Sequence, residues 1–265
     1  MGKAVKPKMV KLIKYEIRKN AGLLLAMLAT IFAVEGYFLI SLALDKETHV
    51  AVSSSLMPVG CFLIALLVFI LGVTSYSREL SQKSSYLIFM TPRSTLAIIA
   101  SKVLYTVVLG VGFAGLLGGL LALDIPLLLD YFGEWKGFAQ MLDSLLASQN
   151  MSLAGMIFTA LFFALMVFCQ VLSMVGVAYL AITLSSTLLQ NRKGKGVVSV
   201  VFFLALTWGL SRLSGLWYDD PYFLEGIETF RDAMTACLPQ LAQSVAVLLA
   251  SVFGSAWLLE RYVSL

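Results

Sequence analysis

Glu35 is the residue whose type and place most invite chemistry. It sits inside an apolar run, with no other charge between Lys19 and Asp45. A carboxylate at that depth in hydrocarbon costs about 3 kcal/mol or more, so it must face a polar cavity or a partner. Gln170, in a second apolar run, is a side chain that could partner it. Two roles fit: a hydrogen-bonded or protonated carboxyl that stabilises packing, and a group lining a substrate path. Other chemistry is sparse. The single histidine, His49, falls in a short polar stretch and reads as an ordinary loop residue. Cys61, Cys169 and Cys237 lie in different apolar runs without a ligand or disulfide spacing, as small buried hydrophobes do. No His/Cys/carboxylate set has metal-ligand spacing and no serine sits on a strand-to-helix elbow, so neither a metal centre nor a catalytic residue is expected. Gly194-Lys195 lacks the upstream glycine of a phosphate-binding loop, and the chain itself is not expected to be an enzyme.

The elements that position these groups are dictated by charge. The chain has 265 residues, 60% hydrophobic and 13% charged, where a soluble domain is about a quarter charged. The apolar excess is gathered into six runs at residues 22–44, 52–74, 96–123, 151–188, 196–216 and 234–259, each long enough to cross a bilayer. Of 19 basic residues, 15 fall in the N-terminal segment, the loops after the second and fourth runs, and the C-terminal segment. Of 15 acids, 11 fall in the other three loops. Lys and Arg favour the cytoplasmic side. The expectation is an all-α polytopic protein of the plasma (inner) membrane, with six transmembrane helices and both termini cytoplasmic. The uncharged stretch 151–191 could hide two spans, but splitting it would put Arg192, Lys193 and Lys195 outside; one long helix is expected, tilted or projecting. No cleavable signal peptide and no myristoylation signal are read at the N-terminus. One transmembrane domain over 1–265 is expected.

Amphipathic stretches flank the spans. Over residues 8–20, Met9, Leu12, Ile13 and Ile17 share one helical arc, while Lys8, Lys11, Lys14, Arg18 and Lys19 cover the other. That pattern predicts a helix in the headgroup layer. Leu128, Tyr131, Phe132, Trp135, Phe138, Leu142, Leu145 and Leu146 recur at three- and four-residue spacing and predict a second interfacial helix. Trp217 to Phe230 alternates aromatics with acids and is broken by Pro221. Residues 110–115 match a dinucleotide-binding glycine pattern, but inside an apolar run that match is spurious. Gly112, Gly115 and Gly119, with Gly118 beside them, instead predict close helix packing, within the subunit or across a dimer.

Residues 75–102 form the most specific segment. Arg78-Glu79 opens it, Tyr86-Leu87-Ile88-Phe89-Met90 comes next, and Thr91-Pro92-Arg93-Ser94 precedes Ile98, Ile99 and Lys102. It is too apolar for a solvated loop. Thr91-Pro92 stops one helix and Ser94 can cap the next. A short apolar helix flanked by cations below the membrane is a docking element for a cytosolic partner, or packs on the chain's own helices.

This segment resembles the first cytoplasmic loop of ABC-2 type permeases, the membrane subunits of ATP-binding cassette exporters. Leu12-Ile13-Lys14-Tyr15-Glu16-Ile17-Arg18-Lys19 is similar to that family's opening interfacial helix. The resemblance implies a coupling helix seated in a cytosolic ATPase subunit, with Arg78, Glu79, Tyr86, Leu87, Phe89 and Arg93 as contacts. It implies a second permease copy or paralogue, ATP and Mg bound by the partner rather than by this chain, and outward transport. Few charges in the spans point to an amphipathic cargo: a drug, a peptide or a lipid-like molecule. Nucleic acid is not an expected partner. Two other classes remain open: a non-transporting membrane sensor or assembly subunit, and a proton-coupled secondary transporter using Glu35.

Overall fold

A computed structural model describes residues 9–81, 94–188, 194–218 and 229–262. All regular elements among them are α-helices: α1 (Met9–Lys19), α2 (Ala21–Ala43), α3 (Glu47–Ser81), α4 (Thr95–Phe132), α5 (Trp135–Ser148), α6 (Leu153–Leu188), α7 (Lys195–Tyr218) and α8 (Phe230–Tyr262). Six of these, α2, α3, α4, α6, α7 and α8, are long and apolar enough to cross a membrane. Many of their large side chains point outward: Phe62, Leu123, Leu161 and Trp208 are each more than 60% exposed. Such a surface belongs in lipid, where the helix also satisfies its own backbone polar groups.

α6 is one unbroken helix of 36 residues, as charge placement predicts. α3 and α4 are longer than their apolar runs, at 35 and 38 residues. Once nucleated, a helix adds a hydrogen bond for each further residue it fixes. The run therefore continues through polar residues such as Ser77, Arg78 and Glu79, and much of the expected loop 75–102 is helical. Pro58, Pro126 and Pro239 lie inside α3, α4 and α8.

The helices group into two units. The first holds α1, α2, α3 up to Ser75 and α4 from Leu104. Its core is built at helical spacing from Leu24, Met27 and Ile31 of α2, Ile64, Val68 and Leu71 of α3, and Tyr105, Leu109 and Phe113 of α4. A Cβ on Gly72 would stand 2.6 Å from Thr106 Oγ1, so α3 and α4 approach closely there. α1 joins this unit through a partly polar face. Ile13 packs on the core. Glu16, only 5% exposed, accepts a hydrogen bond from Ser75 Oγ at 2.8 Å. Asn20 Nδ2 donates to the Tyr105 hydroxyl at 3.1 Å and the Glu16 carbonyl at 3.2 Å. Tyr15 and Ile17 face outward.

The second unit holds the end of α3, the start of α4, and α5 to α8. α6 packs along both α8 and α7. Gly176 lets α6 approach α8, since its Cβ would meet Leu248 Cδ1 at 3.1 Å and Ser251 Cβ at 3.3 Å. α5 buries none of its residues, in keeping with an amphipathic helix whose apolar stripe is left for another surface. Thr229 and Asp232 cap the start of α8 reciprocally: the Thr229 amide and hydroxyl donate to Asp232 Oδ2 at 3.0 and 2.7 Å, and the Asp232 amide donates to Thr229 Oγ1 at 3.3 Å. The segment of alternating aromatics and acids between Trp217 and Phe230 lies mostly outside the described residues.

Candidate functional site

Glu35 lines a cavity of about 210 Å³ inside the first unit, among α2, α3 and α4. Its acidic neighbour on the same wall is Asp124. Glu35 is half-buried, and Asp124 is 2% exposed. Asp124 Oδ1 is buried with no hydrogen-bond partner. Each acid stands eight residues before the end of its helix, Ala43 for α2 and Phe132 for α4. The remaining wall is apolar apart from Thr30 and Cys61. The Thr30 hydroxyl is spent on the Ala26 carbonyl at 3.0 Å, so it brings no donor to the acids.

Asp124 was not legible as an intramembrane group. It stands directly after the apolar run 96–123 and reads as the first acid of a polar loop. The signal against that reading is the adjoining stretch Ile125-Pro126-Leu127-Leu128-Leu129, which extends the run. Pro126 does not end the helix.

Gln170 lines a different cavity, of about 350 Å³, within the second unit. Here α6, α7 and α8 contribute Ser173, Ser211, Ser214, Gln240 and Gln243 among others. Ser244 Oγ donates to Gln170 Oε1 at 2.5 Å, and Gln243 Nε2 donates to Ser214 Oγ at 3.0 Å. Gln243 Oε1 is buried with no partner. Gln240, Gln243 and Ser244 recur at helical spacing on α8. That polar stripe in an apolar helix was the readable signal for this cavity.

Around residues 82–93, which carry Tyr86, Leu87, Phe89 and Arg93 and lie outside the described residues, the flanking helices are fastened together. Glu79 near the end of α3 forms an ion pair with Lys102 of α4, and both are largely buried at 12% and 3% exposure. The same end of α3 is tied to α6: the Tyr76 ring stacks on Tyr179 with centroids 4.3 Å apart, and the Tyr76 hydroxyl lies 2.7 Å from Thr183 Oγ1. Thr183 itself donates to the Tyr179 carbonyl at 2.8 Å, which leaves Tyr76 as the donor to Thr183. Arg78 is exposed. Glu79 therefore faces α4, whereas Arg78 is presented outward.

The glycines of α4 are placed otherwise than close packing within the subunit requires. Gly112, Gly115, Gly118 and Gly119 are exposed, and a Cβ at any of them would meet nothing within 4 Å. Close helix approach in this chain uses Gly72 and Gly176 instead. His49 is exposed in the first turns of α3, its Nδ1 2.9 Å from the Tyr37 hydroxyl. All three cysteines are free, and no group of three or more metal-ligating side chains occurs among the described residues.

No protein-family model matches the chain, and no curated protein or solved structure does either.

Proposed function

We propose that this chain is the membrane-spanning permease subunit of an ATP-driven exporter of the ABC-2 type, lying in the plasma membrane with both termini cytoplasmic. A separate cytosolic ATPase subunit binds ATP and Mg, and a second permease copy or paralogue completes the path. The observation that carries this reading is the segment from the end of α3 to the start of α4. Its sequence places Arg78-Glu79, a Leu/Phe-rich stretch and Thr91-Pro92-Arg93-Ser94 in the order of a coupling element. Its flanks are braced by the Glu79–Lys102 pair and the Tyr76 contacts to α6. Braced flanks favour transmission of force as rigid-body movement. ATP drives such a cycle only by favouring one state over the other. Cargo is amphipathic: a drug, a peptide or a lipid-like molecule. The cavities around Glu35 and Gln170 are candidate parts of its route.

The test is co-purification with a cytosolic ATPase and reconstitution of the complex. Scrambling Tyr86–Phe89 should abolish cargo movement and stimulation of hydrolysis while the subunits stay soluble in detergent. Unchanged transport after scrambling would end this reading. Arg78→Glu, on the outward-facing neighbour of the brace, should weaken the association.

One observation favours a second reading, a proton-coupled transporter. Two facing carboxyls in an apolar cavity are a natural place to take up and release a proton. Cargo movement that tracks a pH gradient and persists after ATP depletion would select it. A non-transporting sensor or assembly subunit predicts a cytosolic partner but no cargo movement under either condition.

A further inference from the structure

We propose that the cavity among α2, α3 and α4 binds an amphipathic amine in its protonated form, with the ammonium between Glu35 and Asp124 and the apolar body against the apolar wall that all three helices form. Among the described residues lining the cavity there is no Lys, Arg or His, so none of them balances two adjacent acids. Thr30, the one hydroxyl among those residues, already donates to its own helix. Asp124 lines the cavity, and its Oδ1 is the decisive atom: it is buried and accepts from nothing. A buried acceptor left unmet costs about 1–3 kcal/mol, more when charged, and an N–H donor from a ligand removes that cost. A charge-assisted bond to a carboxylate is also the stronger kind.

The other cation classes fit less well. Calcium and magnesium would have to complete their shells with water beside two carboxyls, and the rest of the described lining is apolar and offers those waters little to bond. A quaternary ammonium has no N–H for Oδ1. The wall, from Met27, Ile31, Ile64, Leu117 and Leu121, suits a ring or a branched alkyl group. An apolar cavity of about 150 Å³ holds benzene, so the volume here admits a ring with an aminoalkyl tail. The shared chemistry, an ammonium on an apolar body, has two sources: a free amphipathic amine, or the headgroup of an aminolipid.

This inference deepens the role given to Glu35 above and rests on that part of the reading, but its test uses neither nucleotide nor an ATPase. Failure of binding would therefore leave the coupling-segment reading standing, and failure of ATP coupling would leave the site standing. The full chain is placed in nanodiscs of phosphatidylcholine, and tritiated 2-phenylethylamine is titrated by equilibrium dialysis. Saturable binding is expected. The N-acetylated, uncharged analogue should compete at least about tenfold more weakly, and the amine should bind at least about tenfold more weakly to the Glu35→Gln, Asp124→Asn double variant, which keeps side-chain shape. The analogue arm uses the unaltered chain, so it decides the matter even if the variant fails to fold. Weaker apparent binding when phosphatidylethanolamine is added to the discs would name the lipid headgroup as the occupant. No effect of that lipid would name a free amine, and either result upholds the site. No saturable binding in phosphatidylcholine, equal competition by the acetylated analogue, or native-like binding by a folded double variant would overturn it.

Discussion

The cost of a carboxyl in the middle of a membrane helix is set by its neighbours, and the neighbour of Glu35 is another carboxyl. The pairing sets the order of variants. Glu35→Leu alone leaves Asp124 buried without its neighbour, and should lower stability by about 1–3 kcal/mol. Glu35→Gln keeps a polar side chain of the same shape and should stay within about 1 kcal/mol of the native chain. Leu at both positions removes both polar groups and should recover most of the loss, because replacing a buried polar pair by apolar side chains is often neutral. Thermal unfolding in a mild detergent reads all three. At this scale the sequence exposed half of the pair. Glu35 stands out because both its flanks are apolar for many residues. Asp124 does not, because the charged residues Asp130 and Glu134 come soon after it and it merges with them. Contacts such as Ser75 with Glu16, 59 residues apart, carry no local signal at all. Glu16 reads as one acid among cations and is instead an inward side chain of α1.

Among helices, close approach is set by where a Cβ has no room. Gly72→Ala should cost about 1–3 kcal/mol, since Thr106 is short and has little freedom to withdraw. Adding Thr106→Ala should restore much of it. Gly119→Ala should leave the isolated chain's unfolding unchanged, because nothing lies within 4 Å. If a second permease packs on that face, Gly115→Leu should instead reduce cross-linking between copies without changing the stability of either. The small-residue pattern of α4 was legible, but spacing alone does not say which helix, or which molecule, fills the gap. The Glu79–Lys102 brace makes a separate prediction. Lys102→Met removes the cation paired with a largely buried carboxylate and should destabilise by about 3 kcal/mol. The added change Glu79→Gln should recover most of it, as measured by detergent unfolding. The six spans and the single long α6 were readable because charge alternation constrains every loop at once. The continuation of α3 and α4 was not, because polar residues beyond an apolar run are equally compatible with a loop.

For the whole molecule, unequal helix lengths have a consequence for the surrounding lipid. At 1.5 Å per residue, the 23 residues of α2 reach about 35 Å and the 36 of α6 about 54 Å. A hydrocarbon core is about 30 Å thick. α6 can accommodate almost any bilayer by leaning or protruding, whereas α2 has only a few ångströms to spare. α2, with the 24-residue α7, therefore sets the bilayer thickness the protein tolerates, and Glu35 rides on α2. Reconstitution across a series of acyl-chain lengths should give one optimum near that thickness. Longer chains should pull the ends of α2 below the headgroups and shift its carboxyl deeper into the oil, so that the amine affinity of the cavity falls while helix content stays constant.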